Sequence, residues 1–269
     1  MTSLLPAFQS ATKTSSNSEM GRIEFVAYNT RLLKLVFCYT RGKTAVKVEG
    51  LLAPFLKKIE KQFDPYLRFL PAEIRGDTLY LSTTLPPIPS KPFERLVFSQ
   101  VKRVFRFHTP DNLTIMVTKK CQCQCKHCLV HNMEDVSELT KNEIFNVIDE
   151  AQKLGVSQIT FEGGEPTLRE DLPELIQHVD KTKATSMVVT NGQRLAKDYV
   201  QFLKKSGLDY LNISIDSPHS QEHDMFRGVS GLFMDAYRGI RNSVSSGIVT
   251  GILYIARPGN CDKKSLKNL

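Results

Sequence analysis

Short apolar runs divide the first hundred residues into strands and one helix. Three segments rich in β-branched and aromatic residues predict strands, and an amphipathic stretch at residues 51–62 predicts the helix that follows them. The predicted strands are 23–28, 33–39 and 44–48, with a further one at 78–82. We expect residues 22–92 to form a small α+β accessory domain.

Composition marks both ends of this accessory domain. Residues 1–21 are rich in Ser, Thr and Asn and carry few large apolar side chains, which predicts a flexible tail. At the other end, prolines at positions 86, 87, 89 and 92 cannot continue a helix or a central strand. We therefore expect the domain to end at residue 92 and a basic, aromatic connector to occupy residues 93–111.

From residue 112 the pattern repeats as strand, loop and helix. The helix predicted after the first apolar run has a capping box, Thr140 with Glu143, and Gly155 stands where it should end. Alternation of strands and helices predicts an α/β fold in which a parallel sheet is covered by helices, here a partial (β/α) barrel of about five units. The predicted strands are 113–118, 157–161, 186–190, 210–215 and 248–255.

Polar motifs follow four of these strands at the point where each strand ends. A cysteine cluster at 121–128 follows the first, and a Gly-Gly-Glu-Pro segment at 163–166 follows the second. Asn191-Gly192 follows the third strand and Asp216-Ser217 the fourth. Because the carboxyl ends of parallel strands gather on one rim, where such folds place active sites, we expect these motifs to form one site.

Charge and hydropathy exclude some classes of protein. The chain of 269 residues has a formal net charge of +8, but its Lys and Arg are scattered, which favours a solvated basic surface over a nucleic-acid site. No stretch approaches the ~20 apolar residues of a membrane helix. The opening segment lacks the features of a secretory signal, and we expect a cytoplasmic protein with no membrane span.

Four of the six cysteines crowd into eight positions, which indicates a metal site and not a disulfide framework. Cys121, Cys125 and Cys128 can wrap one face of an iron-sulfur cubane and leave one iron with an open site. Spacing alone leaves a second set open, since Cys123 also lies close to Cys125 and Cys128. The place of Cys121 directly after a strand favours the first set.

A zinc site is the alternative for the same segment. Zinc prefers four ligands in a closed tetrahedron, and Cys123, His127 or His131 could complete the number. A closed structural site would not explain the Gly-Gly-Glu-Pro segment on the next strand, so iron-sulfur is the favoured interpretation. Cys38 and Cys261 are isolated and are expected to be buried or free thiols.

The cysteine spacing and the Gly-Gly-Glu-Pro segment together resemble the radical S-adenosylmethionine (radical SAM) superfamily, most closely its cofactor- and peptide-maturation enzymes, over about residues 112–260. The resemblance implies that Cys121, Cys125 and Cys128 hold a [4Fe-4S] cluster whose open iron binds the amino and carboxylate groups of S-adenosylmethionine. It also implies an oxygen-sensitive enzyme, reduced by a ferredoxin or flavodoxin, that cleaves this cofactor to a 5′-deoxyadenosyl radical.

The Gly-Gly-Glu-Pro segment matches the part of the family that binds the methionyl group of the cofactor. Gly163 and Gly164 would let the backbone come close to the ligand, and Pro166 would stiffen the turn. The resemblance gives Glu165 the role of accepting a bond from the methionyl ammonium.

Three further positions are carried over from the family. Asn191 and Ser214 match places that contact the ribose or methionyl part of the cofactor, and Arg227 matches an arginine that steadies the cofactor carboxylate or its loop. Two alternatives remain open: Ser214 as a hydroxyl of the barrel core, and Arg227 in a salt bridge with Asp224.

The chain departs from the family at its end. The usual core has six strands, whereas this chain stops at the opening of the fifth helix, so we expect the core at residues 112–269 to be incomplete at its C-terminus. A fragment of a longer protein, strands supplied from elsewhere and an unusually short member all fit this observation. Only Cys261 lies beyond the first cluster, so no auxiliary cluster is expected.

The leading functional hypothesis is a radical SAM enzyme that modifies a peptide, a tetrapyrrole or another cofactor precursor, with a small molecule or peptide as substrate. A radical methyltransferase or nucleic-acid-modifying enzyme is an alternative that the charge permits, but no clustered basic or aromatic patch supports it. A non-catalytic iron-sulfur or zinc scaffold is favoured by the short barrel and opposed by the Gly-Gly-Glu-Pro segment.

Overall fold

The structure is a computed structural model that describes residues 22–130, 137–257 and 260–261. The predicted tail at 1–21, the zinc-ligand candidate His131 and the segment 262–269 lie outside the described residues. Within them, no helix combines the length and the apolar character needed to cross a membrane.

An antiparallel sheet and two helices surround the first hydrophobic core, in the described residues up to 104. The sheet has the order β1-β2-β3, and the short hairpin β4-β5 stands apart from it. The core combines Phe25, Phe37, Phe63 and Phe93, whose rings at positions 37, 63 and 93 contact one another. The bounds are β1 Arg22–Asn29, β2 Lys34–Thr40, β3 Lys43–Glu49, α1 Ala53–Leu67, β4 Glu73–Arg75, β5 Thr78–Tyr80 and α2 Lys91–Val104.

Helix α2 occupies most of the stretch that was expected to be a connector. The Ser90 hydroxyl accepts a hydrogen bond from the Phe93 N–H and caps the helix, and Pro92 lies in the first turn, where a missing N–H costs nothing. Phe93, Leu96 and Val97 then enter the accessory core. The prolines predicted a break between the domain and a connector, but the last of them, Pro92, lies in the first turn of a helix.

The second half of the chain is a parallel sheet in the order β6-β7-β8-β9-β10, with helices along one side. This arrangement confirms the predicted α/β fold, a partial barrel preceded by a small α+β domain. The strands are β6 Asn112–Thr118, β7 Gln158–Gly163, β8 Thr185–Thr190, β9 Tyr210–Ser214 and β10 Val249–Leu253. The helices are α3 Lys141–Leu154, α4 Leu172–His178, α5 Lys197–Lys205, α6 Ser220–Arg227 and α7 Leu232–Ser245.

Local signals placed helix α3 correctly but missed α6. Thr140 and Glu143 form both halves of the predicted capping box, and Gly155 ends α3 with φ 112°. Helix α6 has only eight residues, and His219 at its N-cap position makes no side-chain capping bond, so no start signal marked it. Its end was marked, because Gly228 has φ 72° directly after Arg227.

Side chains of the barrel strands separate into two sets. Val117, Phe161, Val188 and Ile213 belong to the core that faces the helices. Because successive side chains of a strand point to opposite faces, their neighbours along each strand face the other, concave side of the sheet.

Residues 80–85, which directly precede the prolines and which we call the linker, cover the concave side where the strands begin. The Tyr210 hydroxyl donates to the Leu85 carbonyl at 2.7 Å, and the Gln158 amide donates to the Thr83 carbonyl at 2.8 Å. Tyr80 packs edge-on against Tyr210, with ring centroids 6.4 Å apart. Since Gln158 and Tyr210 begin their strands, residues 80–85 form a floor at the amino ends of β7 and β9.

Candidate functional site

The cysteine loop leaves β6 and runs beside the end of helix α6. The backbone N–H of Gln124 donates to the Arg227 carbonyl at 2.9 Å, and that of Lys126 donates to the Phe226 carbonyl at 3.1 Å. The Cys128 N–H bonds the Cys125 carbonyl at 3.1 Å, so these two cysteines share a tight turn. Backbone hydrogen bonds therefore determine where the loop lies.

The cysteines of this loop differ in exposure. Cys121, Cys125 and Cys128 are partly exposed, whereas Cys123 is 1% exposed. The Asn191 amide donates to the Cys123 sulfur at 3.4 Å, which holds that side chain inside the protein. Cys123 thus differs in exposure from the three cysteines of the favoured set.

The thiols also differ in acidity. A hydrogen bond from the Cys123 thiol, helped by the positive charge of Arg227, lowers the pKa of Cys125 to about 7. Hydrogen bonds to Cys121 and Cys125 raise the pKa of Cys123 well above its usual value. Both shifts arise from hydrogen bonds among the thiols, so Cys121, Cys123 and Cys125 lie within reach of one another in the loop.

The zinc alternative requires converging ligands. Among the described residues, no three His, Cys, Asp or Glu side chains converge on a position for one ion. The ring of His127 instead stacks on Phe226, with centroids 4.9 Å apart, and burial lowers the His127 pKa. Within the described residues, the structure therefore contains no closed four-ligand zinc site.

Gly163 and Gly164 have no side chains, so their backbone packs directly against the backbone of residues 118–120. The Gly164 N–H donates to the Thr118 carbonyl at 2.7 Å, and the Glu165 N–H donates to the Lys120 carbonyl at 2.8 Å. A Cβ at Gly164 would lie 2.3 Å from the Lys120 oxygen, and one at Gly163 would lie 2.3 Å from the Thr118 oxygen. The close approach is to the backbone that leads into the cysteine loop.

Glu165 is a buried carboxylate that joins the ends of β7 and β8. Its Oε1 accepts bonds from the Thr167 N–H and hydroxyl at 3.0 and 2.6 Å and from the Thr190 hydroxyl at 2.7 Å. Its Oε2 accepts the Asn191 N–H at 2.8 Å. Pro166, which is also buried, begins the short 3-10 turn Pro166–Leu168 after it.

Asn191 connects β8 to the cysteine loop. Its Oδ1 accepts bonds from the Gln122 amide at 3.3 Å and the Gln193 N–H at 3.0 Å, and its amide reaches Cys123. Ser214 lies on the neighbouring strand β9 and is 5% exposed. Its hydroxyl makes no hydrogen bond within the described part of the chain.

The alternative salt bridge between Arg227 and Asp224 is wrong. Arg227 donates from Nε to Asp216 Oδ2 at 2.6 Å, in a pair that is almost fully buried. Asp224 instead accepts the backbone N–H groups of Gly231 and Phe233 at the start of α7. Sequence reasoning named Asp216 but missed this pair, because the partners are eleven positions apart and α6 was not predicted.

The site residues thus meet at one rim. The cysteine loop, the Gly-Gly-Glu-Pro segment and Asn191 are hydrogen-bonded to one another, and Arg227 bonds the cysteine loop through its carbonyl. Two acceptor atoms near this rim, Gln122 Oε1 and Asp216 Oδ1, are buried and have no partner among the described residues.

Comparison with known proteins identifies a matching family model and similar proteins. Residues 115–265 match the family model described as the radical SAM superfamily. The chain is 34% identical to the Fe-coproporphyrin III synthase of Methanosarcina barkeri over 146 residues, which cover 54% of this chain and 36% of that protein. It is 36% identical to the AdoMet-dependent heme synthase of Nitratidesulfovibrio vulgaris over 134 residues, which cover 49% of this chain and 36% of that protein.

The chain spans about a third of the length of these two curated relatives. A solved structure matches more of it: that of Streptococcus suis SuiB bound to the precursor peptide SuiA has a TM-score of 0.53 at 17% identity. The match covers 91% of this chain and 60% of that one, so the shared fold extends beyond the barrel into the accessory part.

Proposed function

Because the chain belongs to the radical SAM superfamily, whose members bind a [4Fe-4S] cluster and S-adenosylmethionine, we propose that it is a radical enzyme with Cys121, Cys125 and Cys128 as cluster ligands. The observation that carries this assignment is the exposure of these three thiols on the rim beside the inward-facing Cys123. A donor set of three thiols fits a cubane with one open iron. Bound and reduced, the cluster supplies the electron that cleaves S-adenosylmethionine to methionine and a 5′-deoxyadenosyl radical.

The rim residues would hold S-adenosylmethionine. Among the described residues, Glu165 Oε2 accepts one hydrogen bond, which leaves a lone pair for the methionyl ammonium. Gly163, Gly164 and Pro166 give this carboxylate a fixed backbone.

Polar groups on the neighbouring strands complete the proposed cofactor site. The Ser214 hydroxyl is available for a ribose or methionyl oxygen, and Asn191 keeps the strand end beside it in position. Arg227 holds its guanidinium at the rim through the ion pair with Asp216 and contributes positive charge next to Cys125.

A peptide, a tetrapyrrole or another cofactor precursor is the proposed substrate class. The two relatives named for heme and Fe-coproporphyrin synthesis support a tetrapyrrole. The shared fold with a protein solved in complex with its precursor peptide supports a peptide. A ferredoxin or flavodoxin is the proposed reductant, and the cytoplasm the proposed compartment, because oxygen-sensitive clusters and cysteines without disulfide bonds persist under reducing conditions.

Formation of 5′-deoxyadenosine tests the proposed reaction. The protein is reconstituted with iron and sulfide without oxygen, reduced with dithionite and mixed with S-adenosylmethionine, and the products are separated by chromatography. We expect a [4Fe-4S] spectrum and 5′-deoxyadenosine from the wild type, and neither above the protein-free background from Cys125→Ala. A loaded wild type that forms no 5′-deoxyadenosine, or a Cys125→Ala variant that forms as much, would contradict the proposal.

A further inference from the structure

Five residues, one from each neighbouring strand, form a row across the concave side of the barrel. Met116 on β6 pairs with Glu162 on β7, and Val189 on β8 pairs with Asn212 on β9, which pairs with Gly251 on β10. We call these five residues the middle row.

The register of the central strands joins the two halves of this row. Phe161 pairs with Val188, so the next residues along these strands, Glu162 and Val189, are neighbours. Phe161 and Val188 belong to the core beneath the helices, and the middle row therefore faces the opposite, concave side.

The middle row lies between the rim and the floor. Gly164 follows Glu162 by two residues, just beyond the end of β7, and Ser214 follows Asn212 by two residues on β9. Both belong to the proposed cofactor site. Two residues in the other direction from Asn212 is Tyr210, which the linker covers through Leu85. A group bound at the middle row would lie directly below the rim, where the hydrogen-abstracting radical is proposed to form.

Glu162 is the one charged side chain of the middle row. It is exposed, and it has no hydrogen-bond or ion-pair partner in the part of the chain that the structure describes. The other members of the row are two apolar side chains, a glycine and an amide. Because the row contains no cation, the Glu162 carboxylate can accept a charge-assisted hydrogen bond from a positively charged group of a ligand.

A second acceptor in the same row is also unpaired. Asn212 is 7% exposed, its amide donates to the Met187 sulfur at 3.2 Å, and its Oδ1 has no partner among the described residues. This oxygen would be 2.4 Å from a Cβ at Gly251, so it lies over the glycine in the row. The Asn212 oxygen is buried, so Glu162 is the acceptor of the middle row that a ligand can reach without a rearrangement.

We propose that Glu162 is a specificity-determining residue that binds a cationic nitrogen of the substrate, an ammonium or guanidinium group. This inference rests on the proposed function and narrows its substrate class. A peptide with a Lys or Arg side chain or a free N-terminus supplies such a group, whereas a substrate held by its carboxylates would bring like charge to Glu162.

Two small probes of opposite charge and similar size test this inference. The chain of 269 residues, reconstituted and supplied with S-adenosylmethionine, is titrated with n-propylguanidinium and with n-butyrate, and binding is followed by ligand-observed NMR. We expect the wild type to prefer propylguanidinium, and Glu162→Gln to bind it about tenfold more weakly, as expected for loss of a charge-assisted hydrogen bond. Glu162→Lys should reverse the preference in favour of butyrate.

Glu150→Gln is the matched control, because Glu150 is an exposed carboxylate on helix α3 that pairs only with Lys153 in the described residues. It should bind both probes as the wild type does. Iron content is measured for each variant to show that the cluster is loaded. No binding of propylguanidinium by the wild type, or equal binding by the wild type and Glu162→Gln, would overturn the inference.

The same preparations separate this inference from the proposed function. Formation of 5′-deoxyadenosine by the wild type, together with probe affinities that ignore Glu162, would refute the role of Glu162 alone. Absence of 5′-deoxyadenosine from the loaded wild type would contradict the proposed reaction, while the probe affinities still decide whether Glu162 binds cations.

Discussion

Cys123 differs from the cysteines on either side of it in what surrounds its sulfur. The amide of Asn191 donates to it, and almost none of the residue is exposed. Spacing along the chain could not separate Cys121 from Cys123 as the first ligand, because both lie close to Cys125 and Cys128. The contact that holds Cys123 inside comes from Asn191, 68 positions further along the chain, and the spacing of the cysteines gives no sign of it.

Replacement of Cys123 by Ala tests this difference. We expect Cys123→Ala to bind iron and sulfide near the wild-type amount after reconstitution, and to lose about 1 kcal/mol of unfolding free energy for the small space it leaves. Iron and sulfide analysis with the absorption spectrum is the measurement, and Cys121→Ala is the matched comparison, which should lose the cluster. If Cys123→Ala loses the cluster and Cys121→Ala retains it, the ligand set contains Cys123.

Charged residues show the same limit of sequence reasoning. Thr140 and Glu143 are three positions apart and form their predicted bonds, because a capping box is a local interaction. Arg227 was given a local partner, Asp224, but it pairs with Asp216, which precedes α6. A buried guanidinium needs a buried partner, and burial of both residues became visible only in the folded chain.

At the level of elements, the contact between the cysteine loop and the end of β7 depends on the absence of a side chain at Gly164. The carbonyl of Lys120 occupies the position that a Cβ would need, and that carbonyl belongs to the residue before Cys121. The two segments are joined by the hydrogen bond from Glu165 to the same carbonyl. The backbone at Gly164 and Glu165 therefore determines where the cysteine loop begins.

A methyl group at Gly164 should push these elements apart. We expect Gly164→Ala to lower the free energy of unfolding by about 1–3 kcal/mol, as for other overpacked sites, and to reduce iron content after reconstitution, because Cys121 moves with Lys120. Urea unfolding and iron analysis provide the two measurements.

Gly76→Ala is the control, since its Cβ would meet nothing within 4 Å. It should show only the cost of a left-handed backbone, about 1 kcal/mol, and keep its iron. Equal iron content in both variants would mean that the cysteine loop does not depend on this contact.

At the level of the whole molecule, alternation of strands and helices predicted the partial barrel, and strand-rich patterning predicted the accessory part. The pattern could not predict that the linker packs under the barrel. That contact joins Leu85 to Tyr210 and Thr83 to Gln158, pairs more than seventy positions apart in the chain. The proline-rich composition indicated a break between domains and gave no sign of a packed segment.

Removal of the Tyr210 hydroxyl tests how much its hydrogen bond to Leu85 contributes to stability. We expect Tyr210→Phe to lower the free energy of unfolding by about 1–2 kcal/mol, because the buried Leu85 carbonyl loses its donor. Tyr237→Phe is the control, since Tyr237 is 48% exposed, and it should leave stability near that of the wild type. Identical unfolding curves for Tyr210→Phe and the wild type would show that this bond does not hold the linker in place.

The floor under the barrel also limits how this chain can be recombined with its relatives. A chimera joined at the prolines would replace the whole accessory part by that of a relative. It would therefore also remove Tyr80, Thr83 and Leu85 from the underside of β7 and β9. A chimera that keeps residues 73–85 with the barrel would leave Tyr210 and Gln158 covered, but it would divide the first hydrophobic core, because Leu79 and Leu85 pack there with Phe37. Residues 79–85 thus serve the first core and the underside of the barrel at the same time, so an exchange has to preserve their contacts on both sides.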